Sequence, residues 1–236
     1  MVQRRTSTDR LPDLPPEIAA SRLLAESGIG VYEGLVAGST LQGLIDESTR
    51  SYATAADQGS SAPNPEEDRG GVPLRRFLTG RGGPMQQAFY HSAWVREFLE
   101  GVTGLRLRPT GSAGTFSYYV RPGDFLDLHR DILTCDIAVI TLLYQEGAAS
   151  SHSGGLCVYP DRHREPLSAI RRTPNEGAYA VLPEVGQTMV LLGGVIPHYV
   201  APIESNQRRV TSVLCYRALI AGQPAGGDPD NCGCGG

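Results

Sequence analysis

The chain has 236 residues and is 40% hydrophobic, enough to bury the core of one elaborated domain. Its formal net charge is −4, so no global field favours nucleic acid or an anionic membrane surface. All 21 basic residues are arginine, which excludes lysine Schiff-base chemistry and leaves arginine to bind any carboxylate.

Residues 1–16 are polar and proline-rich and are expected to form a flexible arm. Arg4-Arg5 lacks the apolar stretch of an export signal, and no apolar run reaches the roughly 18 residues of a membrane span. A cytoplasmic protein without a membrane partner is therefore expected. The spacing predicts a short helix over 17–27 with Ile18, Leu23 and Leu24 inward, then a strand over 28–35. A helix over about 40–55, capped by Ser39-Thr40, turns Leu41, Leu44 and Ile45 to one face. Residues 57–71 read as a loop, and 85–100 as a helix carrying Phe89, Trp94 and Phe98. Together 17–104 form a helical support region.

From about 105 the texture changes to short strands separated by Gly/Pro turns. They are expected at 105–108, 115–121, 125–129, 137–144, 155–159, 178–182, 188–192, 198–200 and 210–216. Helices first and strands after predict a mainly β fold. A helical buttress would pack on a double-stranded β-helix, the cupin-like jelly roll, over 105–220. Residues 221–236, with Cys232 and Cys234, read as a flexible Gly/Cys-rich tail. Cys135, Cys157 and Cys215 sit in apolar, strand-like runs and are expected as buried fillers in a reducing compartment.

His129 and Asp131 stand two apart at the end of a predicted strand. Side chains alternate faces there, so the two converge while Arg130 faces away. Such a pair arises readily by chance among five His and 25 acidic residues, so context decides its meaning. An imidazole and a carboxylate make two thirds of a facial metal site, and His198 is the candidate for the remaining ligand.

Four motifs, in order over about 105–217, resemble the Fe(II)/2-oxoglutarate-dependent oxygenases, in their prolyl-hydroxylase-like or phytanoyl-hydroxylase-like branch. The first is the turn Arg121-Pro122-Gly123-Asp124, followed by an apolar strand into His129 and Asp131. The second is Gly154-Gly155-Leu156-Cys157-Val158-Tyr159-Pro160. The third runs from 188–192 through Gly193-Gly194 to His198, and the fourth is Arg208-Arg209-Val210-Thr211.

The resemblance implies a catalytic Fe(II) held by His129, Asp131 and His198, with 2-oxoglutarate and O2 as co-substrates. Oxidative decarboxylation would release succinate and CO2 and drive hydrogen abstraction from a substrate. Halogenating relatives lack the carboxylate, so Asp131 points to hydroxylation; desaturation, epimerisation and ring closure begin from the same abstraction. The distal carboxylate of 2-oxoglutarate needs an arginine. On the strand from 208, Arg209 and Thr211 share one face and Arg208 takes the other, and Arg209 is preferred. Tyr118 or Tyr119 is a candidate for a further hydrogen bond to the co-substrate, and each also reads as a packed barrel tyrosine.

The implied substrate is a small molecule, an amino acid or a peptide-derived natural product. Loops 57–76, 146–153 and 161–175 are expected to rim the barrel mouth. Arg162, Arg164, Arg171 and Arg172 read either as a site for an anionic substrate or as a solvated basic loop. His91, His152 and His163 fall outside the pattern. The alternatives are a cupin-type metalloenzyme that does not use 2-oxoglutarate, which leaves Arg209 without a role, and a non-enzymatic jelly-roll binding module.

Overall fold

A computed structural model describes residue 11 and residues 13–59, 68–147 and 152–221. The expectations for most of the arm, for nearly all of the tail with Cys232 and Cys234, and for 60–67 and 148–151 lie outside these residues.

The helix expected over 17–27 is two helices, α1 (Pro16–Ala19) and α2 (Arg22–Glu26). Ser21 separates them because its hydroxyl accepts from Leu24 N and starts a new helix. Ile18 and Leu23 are buried and Leu24 lies at the margin. After β1 (Ile29–Tyr32) comes α3 (Gly38–Tyr52), which begins without a side-chain cap. Ser39 and Thr40 lie inside its first turn instead of capping it. Leu44 is fully buried, with Leu41 and Ile45 packed at its edge.

Three short strands follow, β2 (Ala56–Asp57), β3 (Arg75–Arg76) and β4 (Leu78–Arg81). They are too short to leave a periodic trace and exist because a sheet edge pairs with them. The helix expected over 85–100 also divides, into α4 (Pro84–Tyr90) and α5 (Ala93–Thr103). The buried carboxylate of Glu47 accepts from the backbone N–H groups of Gly83, Met85 and Gln86. This cap from α3 sets where α4 starts, and it satisfies donors that a helix N-terminus leaves orphaned. Trp94 is half exposed and meets Phe89 edge-on at 5.8 Å, so it is not a core residue.

The remaining strands are β5 (Leu107–Pro109), β6 (Thr115–Tyr119), β7 (Phe125–His129), β8 (Ile137–Glu146) and β9 (Leu156–Val158). They continue as β10 (Tyr179–Val181), β11 (Thr188–Leu191), β12 (His198–Val200) and β13 (Arg208–Ala218), with α6 (Leu167–Arg172) between β9 and β10. Two antiparallel sheets result. The larger runs β1-β11-β8-β13-β6-β4-β2, with β5 beside β13, and the smaller runs β10-β9-β12-β7-β3. From β6 onward the chain passes between the sheets in the winding of a double-stranded β-helix. The expected jelly-roll core is present, and β1–β4 extend its sheets from the N-terminal side.

Alternation along β6 and β13 gives the larger sheet two faces. The outer face meets the helices: Tyr118 donates to Ser48 O at 2.6 Å, Tyr216 to Tyr90 O at 2.8 Å, and Gln86 Nε2 to Ser212 Oγ at 2.8 Å. Leu44, Leu99 and Phe116 belong to the same buried cluster, each contributing about 1.5–3 kcal/mol by leaving water. The inner face carries Ser117, Tyr119, Arg209, Thr211 and Cys215. Cys215 is bonded to Cys135, 80 residues away, so these two cysteines are a covalent link and not fillers. Cys157 is free and buried, as expected. Among the described residues, no helix is long and apolar enough to cross a membrane.

Candidate metal centre

Strand β12 brings the two histidines together. His198 stands opposite His129 on β7, while Val200 stands opposite Leu126, so β7 contains a bulge. The bulge leaves Asp127 and Leu128 facing outward. Asp127 receives Arg171 at 3.1 Å, and Leu128 packs with Tyr159, Leu167 and Ile170. His129 is thereby returned to the inner face, with its ring centroid 4.2 Å from that of His198.

Each histidine has its Nδ1 2.8 Å from a backbone carbonyl, Asp127 O for His129 and Ile196 O for His198. A carbonyl only accepts, so Nδ1 carries the proton and Nε2 presents a lone pair. Asp131 Oδ1 lies 3.6 Å from His129 Nε2 and 3.7 Å from His198 Nε2. The ligand atoms of all three residues lie within 4.8 Å of one another, and both distances to Asp131 Oδ1 fall inside the roughly 4.2 Å that donors about 2.1 Å from one ion can span.

Asp131 lies just beyond β7 and is held by its own backbone, which donates to Gly193 O at 2.8 Å. A Cβ at Gly193 would stand 1.8 Å from Asp131 Oδ2, so only glycine lets that chain pass. A Cβ at Gly194 would meet Arg69 Nη2 at 2.6 Å. The Gly193-Gly194 motif thus has a packing cause.

Burial pushes the His198 imidazole down to about 4, and His129 reinforces this against the opposing charge of Asp131. Burial alone would raise the Asp131 carboxyl. The adjacent His129 and His198 outweigh it and hold Asp131 below the usual carboxylate range. At neutral pH His198 is a neutral imidazole beside the ionised Asp131, which suits a divalent metal.

Arg130 faces away from the cluster, as alternation requires, and is buried. Its Nε donates to Val195 O at 2.8 Å, and Nη1 to Asp68 Oδ1 at 3.2 Å. Its Nη2 donates to His163 O at 2.9 Å and Glu165 O at 2.8 Å. One side chain between two candidate ligands therefore ties together three loops. Sequence reasoning missed this role, because the partners carry no local signal.

The inner face also buries Arg209, whose Nη1 donates to Gly154 O. Among the described residues none forms an ion pair with it, and burial lowers its pKa. Arg208 points to solvent, 3.9 Å from Glu146. Tyr119 stands opposite Arg209 and stacks on Phe77 at 5.0 Å. Neither the Tyr119 nor the Thr211 hydroxyl has a hydrogen-bond partner among the described residues. Tyr118 is different: its hydroxyl is spent on Ser48 on the helical side, out of reach of a ligand inside the barrel.

The other singled-out residues have structural work. Asp124 is wholly buried and accepts from Val120 N, Arg121 N and the guanidinium groups of Arg76 and Arg121, folding the turn before β7. Arg162 is held by Glu165 and Thr173 O, and Arg171 by Asp127 and Leu128 O, so half of the basic loop is committed internally. His91 Nε2 meets Ser112 O at 3.1 Å, and His163 Nδ1 meets Pro160 O at 2.7 Å.

No protein-family model matches the chain, and no curated protein matches it. Solved structures match in fold. A Pseudomonas putida prolyl-4-hydroxylase superposes with a TM-score of 0.53 at 19% identity, covering 83% of this chain and 95% of that one. SnoN, a non-heme alpha-ketoglutarate-dependent epimerase from nogalamycin biosynthesis, gives 0.61 at 14% identity, over 88% of this chain and 89% of that one. EctD from S. alaskensis, solved with 2-oxoglutarate and 5-hydroxyectoine, gives 0.62 at 17% identity, over 91% of this chain and 86% of that one. The likeness is one of fold and spans nearly the whole chain.

Proposed function

We propose that this chain, which has the fold of the 2-oxoglutarate/Fe(II) oxygenases, is itself an Fe(II)- and 2-oxoglutarate-dependent oxygenase. Its substrate is a small molecule, an amino acid or a peptide-derived natural product, and its reaction is hydroxylation. The observation that carries this reading is the convergence of His129 Nε2, His198 Nε2 and Asp131 Oδ1 in a barrel that also buries an arginine without an acidic partner.

Mixed imidazole and carboxylate donors on one face suit Fe(II). His129, Asp131 and His198 would hold the ion, and both Nδ1–carbonyl bonds fix the imidazoles in the ligating tautomer. A buried guanidinium without a counter-ion is costly, and the distal carboxylate of 2-oxoglutarate would supply one. Arg209 would bind that carboxylate, with the unpaired Thr211 and Tyr119 hydroxyls beside it. When bound, iron with 2-oxoglutarate and O2 supplies the oxidative decarboxylation to succinate and CO2 that drives hydrogen abstraction from the substrate. Asp131 fills the position a halide would need, which favours hydroxylation. Fold neighbours are named as a hydroxylase and as an epimerase, so the same fold serves both outcomes.

The test is anaerobic reconstitution with Fe(II) and 2-oxoglutarate. A weak charge-transfer band in the visible is expected. Asp131→Ala should abolish it, and Arg209→Met should raise the 2-oxoglutarate concentration needed by at least tenfold. A band that survives Asp131→Ala would refute the metal assignment. Arg209→Met without effect would favour a metalloenzyme that does not use a 2-oxo acid.

A further inference from the structure

Asp131 Oδ2 sits in a slot. On one side Cys135 Sγ lies 3.7 Å away, and on the other Gly193 leaves no room for even a Cβ. Cys135 is 1% exposed and bonded to Cys215, which is partly exposed on the inner face of β13. Cys215 is the more exposed of the two, so it is the sulfur a small thiol or oxidant would reach first. The end of the same loop is held independently. Asp136 N donates to Tyr216 O at 3.0 Å, and its carboxylate accepts from Ala218 N at 2.8 Å and Arg69 at 2.6 Å.

We propose that Cys135–Cys215 is a reversible redox site that sets the metal affinity of Asp131, an inference that rests on the metal centre proposed above. Reduction by a dithiol breaks the S–S bond with two electrons and two protons, leaving two thiols and an oxidised reductant. Bonded sulfurs stand about 2 Å apart, whereas non-bonded atoms of this kind need on the order of 3.5–4 Å. The fastened loop end prevents the loop from swinging clear, so Cys135 Sγ is pressed toward Asp131. Its new S–H donates to Oδ2. Gly193 blocks the carboxylate's retreat, and Oδ1 turns away from His129 and His198. Hydrogen peroxide reverses the change: two thiols and one peroxide give the disulfide and two waters.

Co(II) is an air-tolerant probe of the site. Its affinity is measured optically on the full-length protein, oxidised, then reduced with dithiothreitol and desalted, with thiols counted by alkylation and mass spectrometry. Reduction should expose two more thiols and weaken Co(II) binding about tenfold, and peroxide should restore it. The Cys135→Ala/Cys215→Ala double variant should bind like the oxidised protein whatever the treatment. Cys215→Ser, which leaves the Cys135 thiol, should bind like the reduced protein, with circular dichroism confirming its fold. Equal affinity in both redox states, or free Cys135 and Cys215 in the oxidised sample, sinks this inference while leaving the metal centre standing. No Co(II) binding in either state sinks both.

Discussion

His198 is asked to stay neutral in a place water does not reach. Burial and the neighbouring His129 push it down to about 4, against an ordinary value of 6.5. As pH falls through 6.5 the unfolded chain takes up that proton first, and the folded chain follows only near 4. The contribution to stability is therefore complete above about pH 6.5 and is lost as pH falls toward 4. For the metal-free protein the loss should be on the order of 3 kcal/mol, and Asp131, also held down, adds to it at lower pH. Thermal melts between pH 7 and pH 4 measure it, and His198→Asn should flatten the curve in that window. An equally steep curve in the variant would remove His198 as the cause. At this scale much was legible. Residue chemistry singled out His129, Asp131 and His198 as candidates; strand alternation put Arg208 and Arg209 on opposite faces, and the family resemblance preferred Arg209. The bulge in β7 was not legible, since it depends on how β12 pairs with β7.

Whole elements were easier to place than to bound. The apolar spacing marked helices on either side of Ser21 and of His91-Ser92, but both were read as continuous. The first break comes from a serine side chain that starts α2; Glu47 fixes the other end of α4, its N-terminus, and the chain turns between α4 and α5 at His91-Ser92. Arg130 acts between elements, joining the segment after β7 to the Asp68, Val195 and 163–165 backbone regions. Arg130→Met should cost about 3 kcal/mol, because it strands buried acceptors as well as removing a charge. It should also weaken Co(II) binding severalfold by loosening the segment between His129 and Asp131. Arg208→Met, on the exposed side of β13, should stay within about 0.5 kcal/mol. Denaturant unfolding of the two variants provides the comparison, and similar losses in both would deny Arg130 its tying role.

For the molecule as a whole, a site built from β7, β12 and the loop after β7 couples ligand binding to folding. A metal at 100 times its dissociation constant should stabilise the protein by about 2.7 kcal/mol. For a chain of this length that corresponds to roughly 5–10 °C in Tm. Chelation should remove the gain, and Asp131→Ala should not respond to metal at all; an unchanged Tm on chelation of the metal-loaded protein would speak against a bound ion. The sequence alone determined the fold class, the order of the core strands and the identity of the candidate ligands. Those follow from periodicity, side-chain chemistry and the resemblance carried by four ordered motifs, all of which survive in one dimension. Only the tertiary structure decided that Tyr118 serves the helices and Tyr119 faces the interior, that Arg130 reaches Asp68 across 62 residues, and that Cys135 meets Cys215 across 80. Each of these is a choice among distant partners, and the pairing of the sheets makes it.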